Sequence, residues 1–231
     1  MKKPNLLFGS DLSLQPSQSK LLFESAQLPI QCWLAHLACG TGLERSSAKQ
    51  GEEIFLIQGD LNCNQKVYTD IYLCLTPEQF APPFCAGSAG AVLLRMSFGS
   101  TRGNNSGQGA VAQGKPPVEV RDFGLLPWNE IPARRANDPG ARIAELSTNA
   151  SRTRITSLMD CRPGWILDAH DHPSDVLTFC VRGGGILGIE EETTGYEAGH
   201  LVTIPAGMQH RFQTGNQGAF LLVFVVEPFL T

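Results

Sequence analysis

Two histidine-bearing stretches of the chain decide its fold. Residues 164–173 read GWILDAHDHP and residues 199–210 read GHLVTIPAGMQH. On a β-strand, residues i and i+2 point to the same face, so His170 and His172 are expected to project together. His210 would arrive from a second strand after a tight Pro-x-Gly turn. Three imidazoles converging from rigid strands make a facial site for one divalent metal ion, with positions left open for substrate.

Both stretches resemble the two sequence blocks of the cupin superfamily. The first block places a glycine six residues before its His-x-His pair, and Gly164 stands six residues before His170. The second block is matched at every spacing by Gly199, Pro205, Gly207 and His210. The resemblance covers about residues 152–228, roughly one barrel.

The resemblance implies a jelly-roll barrel in which His170, His172 and His210 bind one divalent metal ion. Some cupin dioxygenases use three histidines and iron, so iron is the preferred ion, with manganese, nickel or zinc as alternatives. The implied function is a dioxygenase-type oxidation of a small organic molecule. The alternative for the histidines is a place on the surface or in the core without metal.

The sequence departs from the cupin pattern at the fourth ligand. The glutamate of the first block falls on Val176 here, and the neighbouring Asp175 is out of phase by one residue. A regular strand would turn Asp175 away from the histidines, whereas a bulge at residues 173–174 would bring it to the site. A three-histidine site is the expectation. Thr214 stands where the family often has asparagine, a minor departure.

Besides Asp175, three further side chains are candidates for the surroundings of the metal, namely Asp168, Cys180 and Arg154. Asp168 has the phase of the histidines and could hydrogen-bond a ligand imidazole, or lie in solvent. Cys180 could line the pocket, or be a buried thiol that acts as a small apolar group. Arg154 could bind a substrate carboxylate, or be a solvated surface residue. His200 follows a glycine in a turn and is expected to be exposed.

The first half of the chain repeats the pattern without the histidines. An offset of 124 residues aligns Gly40 with Gly164. With that offset, Ser46 falls at the position of His170 and Ala48 at that of His172. Likewise, Glu52 falls at the position of Val176 and Gly59 at that of Gly183. Residues 51–61, GEEIFLIQGDL, resemble the cupin domain of ChrR-like anti-sigma factors. The first half is therefore expected to be a degenerate barrel without metal, with Glu52 a buried or rim carboxylate.

The composition favours many turns and short strands, and together with the resemblance it implies an all-β protein of two cupin barrels. Glycine (24) and proline (15) punctuate short apolar runs over the 231 residues, which is typical of many turns and short strands. The expected domains are a degenerate N-terminal barrel at 1–98, a Gly-rich linker at 99–117 and a metal-binding C-terminal barrel at 118–231. Two short helices are conceivable, around residues 18–27 and 138–146.

Charge and hydropathy exclude several classes of partner. A net charge of −4 argues against a nucleic-acid surface. No run reaches the roughly 18 apolar residues of a membrane helix. Seven cysteines without a CxxC pair indicate a reducing cytoplasm. The expected partner is a small molecule, and a homodimer is plausible by resemblance. The alternative function is a non-catalytic ChrR-like sensor or regulatory cupin.

Overall fold

The regular structure of the chain is β throughout the part that the structure describes. The computed structural model describes residues 5–7, 15, 17–24, 30–43, 51–75, 84–98, 118–132, 138–148 and 154–226. Within these residues a 3-10 turn at Phe123–Leu125 is the one helical element. The predicted all-β fold is confirmed.

The chain forms two compact units, each built on an antiparallel sheet. The C-terminal barrel contains Met1–Leu12 and Leu126–Thr231, and the N-terminal barrel contains Ser13–Leu125. The strands of the N-terminal barrel are β2 (Ser19–Glu24), β3 (Ile30–Leu37), β4 (Glu52–Cys63), β5 (Lys66–Tyr68), β6 (Ile71–Leu75), β7 (Cys85–Phe98) and β8 (Val118–Asp122). Those of the C-terminal barrel are β1 (Asn5–Leu7), β9 (Asn129–Ile131), β10 (Ala141–Thr148), β11 (Arg154–Cys161), β12 (Ile166–His170), β13 (Val176–Ile189), β14 (Glu192–Glu197), β15 (Leu201–Ile204) and β16 (His210–Val226).

Two long strands, β13 and β16, close the C-terminal barrel. The strand order is β1-β15-β13-β16-β11-β10-β9, with β12 added on β16 and β14 on β13. The first part of β13 pairs with β15 and its last part pairs with β14. Likewise β16 pairs with β12 at its start and with β11 at its end. Each long strand therefore takes part in both sheet faces of one barrel, and the core lies between the two faces.

Glycines occupy the corner where the long strands bend past each other. The register of β13 on β16 shifts between Gly183 and Gly185. Gly183 has φ +76°, and a Cβ there would run into the carbonyl oxygen of Gly218. The N-terminal barrel repeats this corner, since Gly59 has φ +86° and a Cβ would meet the carbonyl of Gly90. Only glycine fits such a left-handed position with backbone this close.

The described strands of the N-terminal barrel follow the strand order of the C-terminal barrel, without counterparts of β9 and β12, and this supports the internal repeat. Its strand order is β2-β3-β7-β4-β6-β8, with β5 on β4. Here β4 and β7 take the places of β13 and β16. The expected alignment of Gly59 with Gly183 therefore holds in three dimensions. Ser46 and Ala48, the predicted counterparts of two histidines, lie outside the described residues.

A buried ion pair marks the place in the N-terminal barrel that corresponds to Val176. The guanidinium of Arg95 donates through Nε to Oε1 of Glu52 at 2.7 Å and through a terminal nitrogen to Oε2 at 3.1 Å. The side chain of Glu52 is buried, at 5% exposure, and that of Arg95 is partly buried, at 18%. Glu52 is therefore a paired buried carboxylate, as the sequence indicated.

The division between the barrels differs from the expected one at both ends. Strand β8, at Val118–Asp122, pairs with β6 and so belongs to the N-terminal barrel, not to the C-terminal one. Strand β1, at Asn5–Leu7, pairs with β15 of the C-terminal barrel. Edge strands that complete a sheet from a distant point of the chain carry no sequence signal of their partner. The expected linker at 99–117 lies outside the described residues.

The two conceivable helices are strands in the structure. Ser19–Glu24 is β2 and pairs with β3, and Ala141–Thr148 is β10 and pairs with β11. Before β10, the carboxylate of Asp138 accepts a hydrogen bond from the N–H of Gly140 at 3.0 Å. This is an Asx turn rather than a helix cap, and Gly140, at φ +85°, ends any helical start.

Candidate metal centre

Three histidines of the C-terminal barrel form one cluster. His170, His172 and His210 each offer one ring nitrogen, and these nitrogens all lie within 4.8 Å of one another. The ring centroids are 4.3 Å apart for His170 and His210, 4.9 Å for His170 and His172, and 5.4 Å for His172 and His210. Imidazole nitrogens bind divalent transition metals at about 2.1 Å, so two nitrogens on one ion lie at most about 4.2 Å apart. The three rings would therefore have to move slightly closer together to share one ion.

Sheet pairing brings His170 and His210 together. His170 ends β12 and His210 begins β16, and the two residues lie directly opposite each other in the antiparallel ladder. His210 also lies opposite Ile189 of β13, a core residue, and its ring packs edge-on against Phe212 at 5.9 Å. The cluster therefore faces the interior of the barrel.

Main-chain carbonyls set the tautomers of two rings. Nδ1 of His170 lies 2.8 Å from the carbonyl oxygen of Asp168, and Nδ1 of His210 lies 2.9 Å from that of Met208. A carbonyl only accepts, so each Nδ1 carries the proton and donates it. The lone pair is then on Nε2, which is the atom left for a metal.

His172 reaches the cluster from a loop, not from a strand. Strand β12 ends at His170, so the expected i, i+2 placement on one strand does not apply. Instead, the carbonyl oxygen of His172 accepts a hydrogen bond from the N–H of Gly207 at 2.8 Å. The Pro-x-Gly turn of the second block thus holds the loop of the first block.

Burial keeps His210 neutral. Its exposed fraction is 2%. Burial lowers the pKa of His210 from its ordinary 6.5 to about 4, and the neighbouring rings of His170 and His172 lower it further, while the hydrogen bond to Met208 and the charge of Asp171 oppose the shift. A neutral imidazole is the form that binds metal, so the site is prepared for a cation near neutral pH.

The metal-free protein is expected to lose stability as the pH falls from 6.5 to 4. In this window the unfolded chain protonates His210 and the folded chain does not, so the free energy of unfolding decreases with falling pH. The contribution of this residue is on the order of 3 kcal/mol. Urea unfolding of chelator-treated protein at several pH values measures it. The His210→Gln variant should show a shallower dependence, and equal slopes would contradict the assignment.

The position of the missing fourth ligand is apolar. Val176 begins β13, is 2% exposed and packs in the barrel core with Ile204 and Val225. Asp175 precedes the strand, and its Oδ1 accepts a hydrogen bond from the N–H of Ala206 at 2.9 Å. The structure brings Asp175 to the turn of the second block, outside the three-histidine group.

Asp168 contacts a ligand ring through a different atom from the one expected. A bulge between Leu167 and His170 inserts one residue into β12, so Leu167 packs against the core and Asp168 does not share the phase of the histidines. Its main-chain carbonyl makes the bond to His170. No side-chain pattern could have indicated this contact, and the same holds for the carbonyl of Met208.

Cys180 and Arg154 do not belong to the metal cluster. Cys180 is a buried core thiol, 1% exposed, which donates to the carbonyls of Arg182 and Gly183. Burial raises the pKa of its thiol to about 12, so it stays protonated. Arg154 precedes Ile155, which lies opposite the core residue Val225. Alternation therefore turns Arg154 to the opposite face of β11, and it is not a pocket residue.

Two other polar residues, His200 and Thr214, have structural roles outside the histidine cluster. His200 is buried, at 5% exposure, rather than exposed, and its Nδ1 accepts a hydrogen bond from the N–H of Glu197. Thr214, at the position of the family's asparagine, donates to the carbonyl of Arg162 at 2.7 Å. This bond ties β16 to the chain that leads into β12.

A known family matches the C-terminal barrel, and curated relatives match about half of the chain. The family described as "Cupin domain" matches residues 157–226. Acireductone dioxygenase 1 of Sorghum bicolor is 22% identical over 130 residues, which is 50% of this chain and 72% of the relative. The human acireductone dioxygenase is 27% identical over 127 residues, 49% of this chain and 71% of the relative.

Solved structures share the fold over nearly the whole chain. A cupin 2 conserved barrel domain protein from Leptotrichia buccalis superposes with a TM-score of 0.61, at 13% identity, and covers 97% of this chain and 96% of its own. A salicylate 1,2-dioxygenase from Pseudaminobacter salicylatoxidans gives 0.62 at 13% identity, covering 97% and 84%. Identities this low establish the fold alone. The described residues contain no helical segment that could span a lipid bilayer.

Proposed function

This chain is a member of the cupin superfamily with two cupin barrels, and from that premise we propose that it is a metal-dependent dioxygenase of small organic molecules. The active site is the three-histidine cluster of the C-terminal barrel. The observation that carries the proposal is the convergence of three ring nitrogens within 4.8 Å, two of them with tautomers set by carbonyls.

The donor set fits a first-row divalent metal. His170, His172 and His210 would hold it through neutral nitrogens, which suit iron, manganese, nickel or zinc, and iron is our first choice. Bound iron would supply open coordination positions and the redox chemistry needed to use dioxygen.

The residues of the chain would orient the metal-binding rings and keep water out of the inner side of the site. The carbonyls of Asp168 and Met208 hold the rings of His170 and His210 in one orientation. The core residues Ile189 and Phe212 lie beside His210 and would exclude water from the inner side of the site. Because the ligands are neutral, the centre keeps the full charge of the ion, which favours a substrate that binds through electron-rich oxygen atoms.

The relatives suggest which substrates to test first. Two acireductone dioxygenases match about half of this chain, and a structural neighbour is a salicylate 1,2-dioxygenase that has also been solved with gentisate. We therefore propose acireductone as the first substrate, followed by salicylate and gentisate.

Metal content and oxygen consumption test the proposal together. Protein purified without chelator, or reconstituted with Fe(II) under anaerobic conditions, should hold close to one metal per chain by plasma mass spectrometry. Oxygen uptake should then depend on one of the three substrates and stop after chelation. Absence of metal after incubation with Fe(II), Mn(II), Ni(II) and Zn(II) would contradict the metalloenzyme proposal. Bound metal without turnover would favour the alternative function, a ChrR-like sensor. That function, the cytoplasmic location and the homodimer stay predictions.

A further inference from the structure

Sheet pairing fixes the positions of two of the three histidines relative to each other, but not the position of the third. His170 and His210 lie opposite each other in the β12–β16 ladder. His172 lies after the end of β12 and before the start of β13. Its position relative to His210 must therefore be fixed by contacts of the loop at residues 171–175.

Those contacts are made to the turn that precedes His210. The N–H of Gly207 donates to the carbonyl of His172 at 2.8 Å. The N–H of Ala206, next to it, donates to Oδ1 of Asp175 at 2.9 Å. The two bonds tie the loop to the turn at His172 and again at Asp175.

The same turn also carries Met208, whose carbonyl holds the ring of His210. The N–H of Met208 donates to the carbonyl of Pro205 at 3.1 Å, and the carbonyl of Met208 accepts the proton of His210 Nδ1. A displacement of the turn would therefore move His210 and release His172 together.

Asp175 supplies the side-chain part of this arrangement. The other bonds are between main-chain atoms, apart from the ring of His210, and do not depend on residue type. The bond from the N–H of Ala206 needs an acceptor oxygen on the side chain of residue 175, and Asp175 supplies it through Oδ1. Its oxygen is directed to Ala206, 31 residues away in sequence, and not to a metal shared with the histidines.

We propose that Asp175 is a positioning residue of the metal centre, which locks the loop of His172 to the turn of His210 without binding the metal. This inference rests on the metal site of the proposed function. Residues in this role typically change metal affinity by about 10- to 100-fold when removed.

Three variants separate positioning from charge and from ligation. Asp175→Ala removes the acceptor. Asp175→Asn removes the charge but keeps an oxygen that can accept from Ala206. Asp171→Asn is the matched control, because this exposed aspartate lies in the same loop and its replacement removes one negative charge without touching the bond to Ala206.

Competition of Co(II) with a chromophoric chelator measures the affinity, and the visible absorption of bound Co(II) reports its ligand set. We expect Asp175→Ala to bind about 10- to 100-fold more weakly, with an altered spectrum and an unchanged melting temperature. Asp175→Asn and Asp171→Asn should stay within about threefold of wild type, since both keep the bond to Ala206.

Several results would overturn the inference. Wild-type affinity in Asp175→Ala would show that the bond does not position the site. Equal weakening in Asp175→Asn would indicate ligation or charge, and equal weakening in Asp171→Asn would indicate charge alone. A wild-type protein that binds no Co(II) would instead contradict the proposed metal centre, and the inference with it.

Discussion

Replacing His210 by alanine should remove the metal and, with it, all dioxygen consumption. His210 is the most buried of the three clustered histidines and lies opposite His170 in the sheet. Removing partners of ligands already costs about 10- to 100-fold in affinity, and loss of a ligand itself should exceed about 100-fold. Plasma mass spectrometry on the purified variant, followed by oxygen uptake with the substrate found for the wild type, gives the result.

His36→Gln is the matched control for this experiment. His36 lies on β3 of the N-terminal barrel, outside the three-histidine group. This variant should keep wild-type metal content, which separates the site from adventitious binding to any histidine. A His210→Ala protein that is folded by circular dichroism and still holds stoichiometric metal would refute the assignment of the ligand.

Replacing Arg95 by methionine should destabilise the protein by about 3–5 kcal/mol. The guanidinium makes two bonds to the carboxylate of Glu52, which is 5% exposed. Without Arg95 this carboxylate stays buried and loses its main opposite charge, and an unpaired buried charge is far more costly than an apolar pair. Urea unfolding followed by circular dichroism measures the change in free energy.

Two further variants control for the loss of side-chain packing. The double variant Glu52→Leu with Arg95→Met should recover most of the stability, because both charges are then removed. Arg142→Met breaks the pair with Asp160, in which both side chains are partly exposed, and should cost only about 1 kcal/mol. If Arg95→Met costs no more than Arg142→Met, the N-terminal barrel does not depend on its buried pair.

The histidine cluster could be predicted from sequence because its spacing is local. Gly164 and His170, and likewise Pro205, Gly207 and His210, stand at fixed separations that strand and turn geometry imposes within a dozen residues. The internal repeat was visible for the same reason, since Gly59 and Gly183 occupy the same corner of two similar barrels.

The surroundings of the cluster could not be predicted in the same way. Strand phase makes Asp168 and Cys180 candidates for these surroundings. Asp175 is a candidate only through a bulge, and Arg154 is one as a group that could bind a substrate carboxylate. A bulge in β12 changes the phase of Asp168, and Arg154 faces away because its neighbour Ile155 pairs with Val225. A single inserted residue moves the side chains that follow it to the opposite face of the strand. Sequence alone does not reveal where such a bulge occurs.

The sequence by itself therefore determined the all-β class, the repeat and the three histidines, because periodicity and tight turns are properties of short segments. Only the tertiary structure decided which atoms support those histidines. The carbonyls of Asp168 and Met208 and the bond from Ala206 to Asp175 are such supports. The edge strands β1 and β8 were also assigned to their sheets by tertiary structure alone. Main-chain atoms are the same in every residue, so a contact between distant segments becomes specific only when folding brings them together.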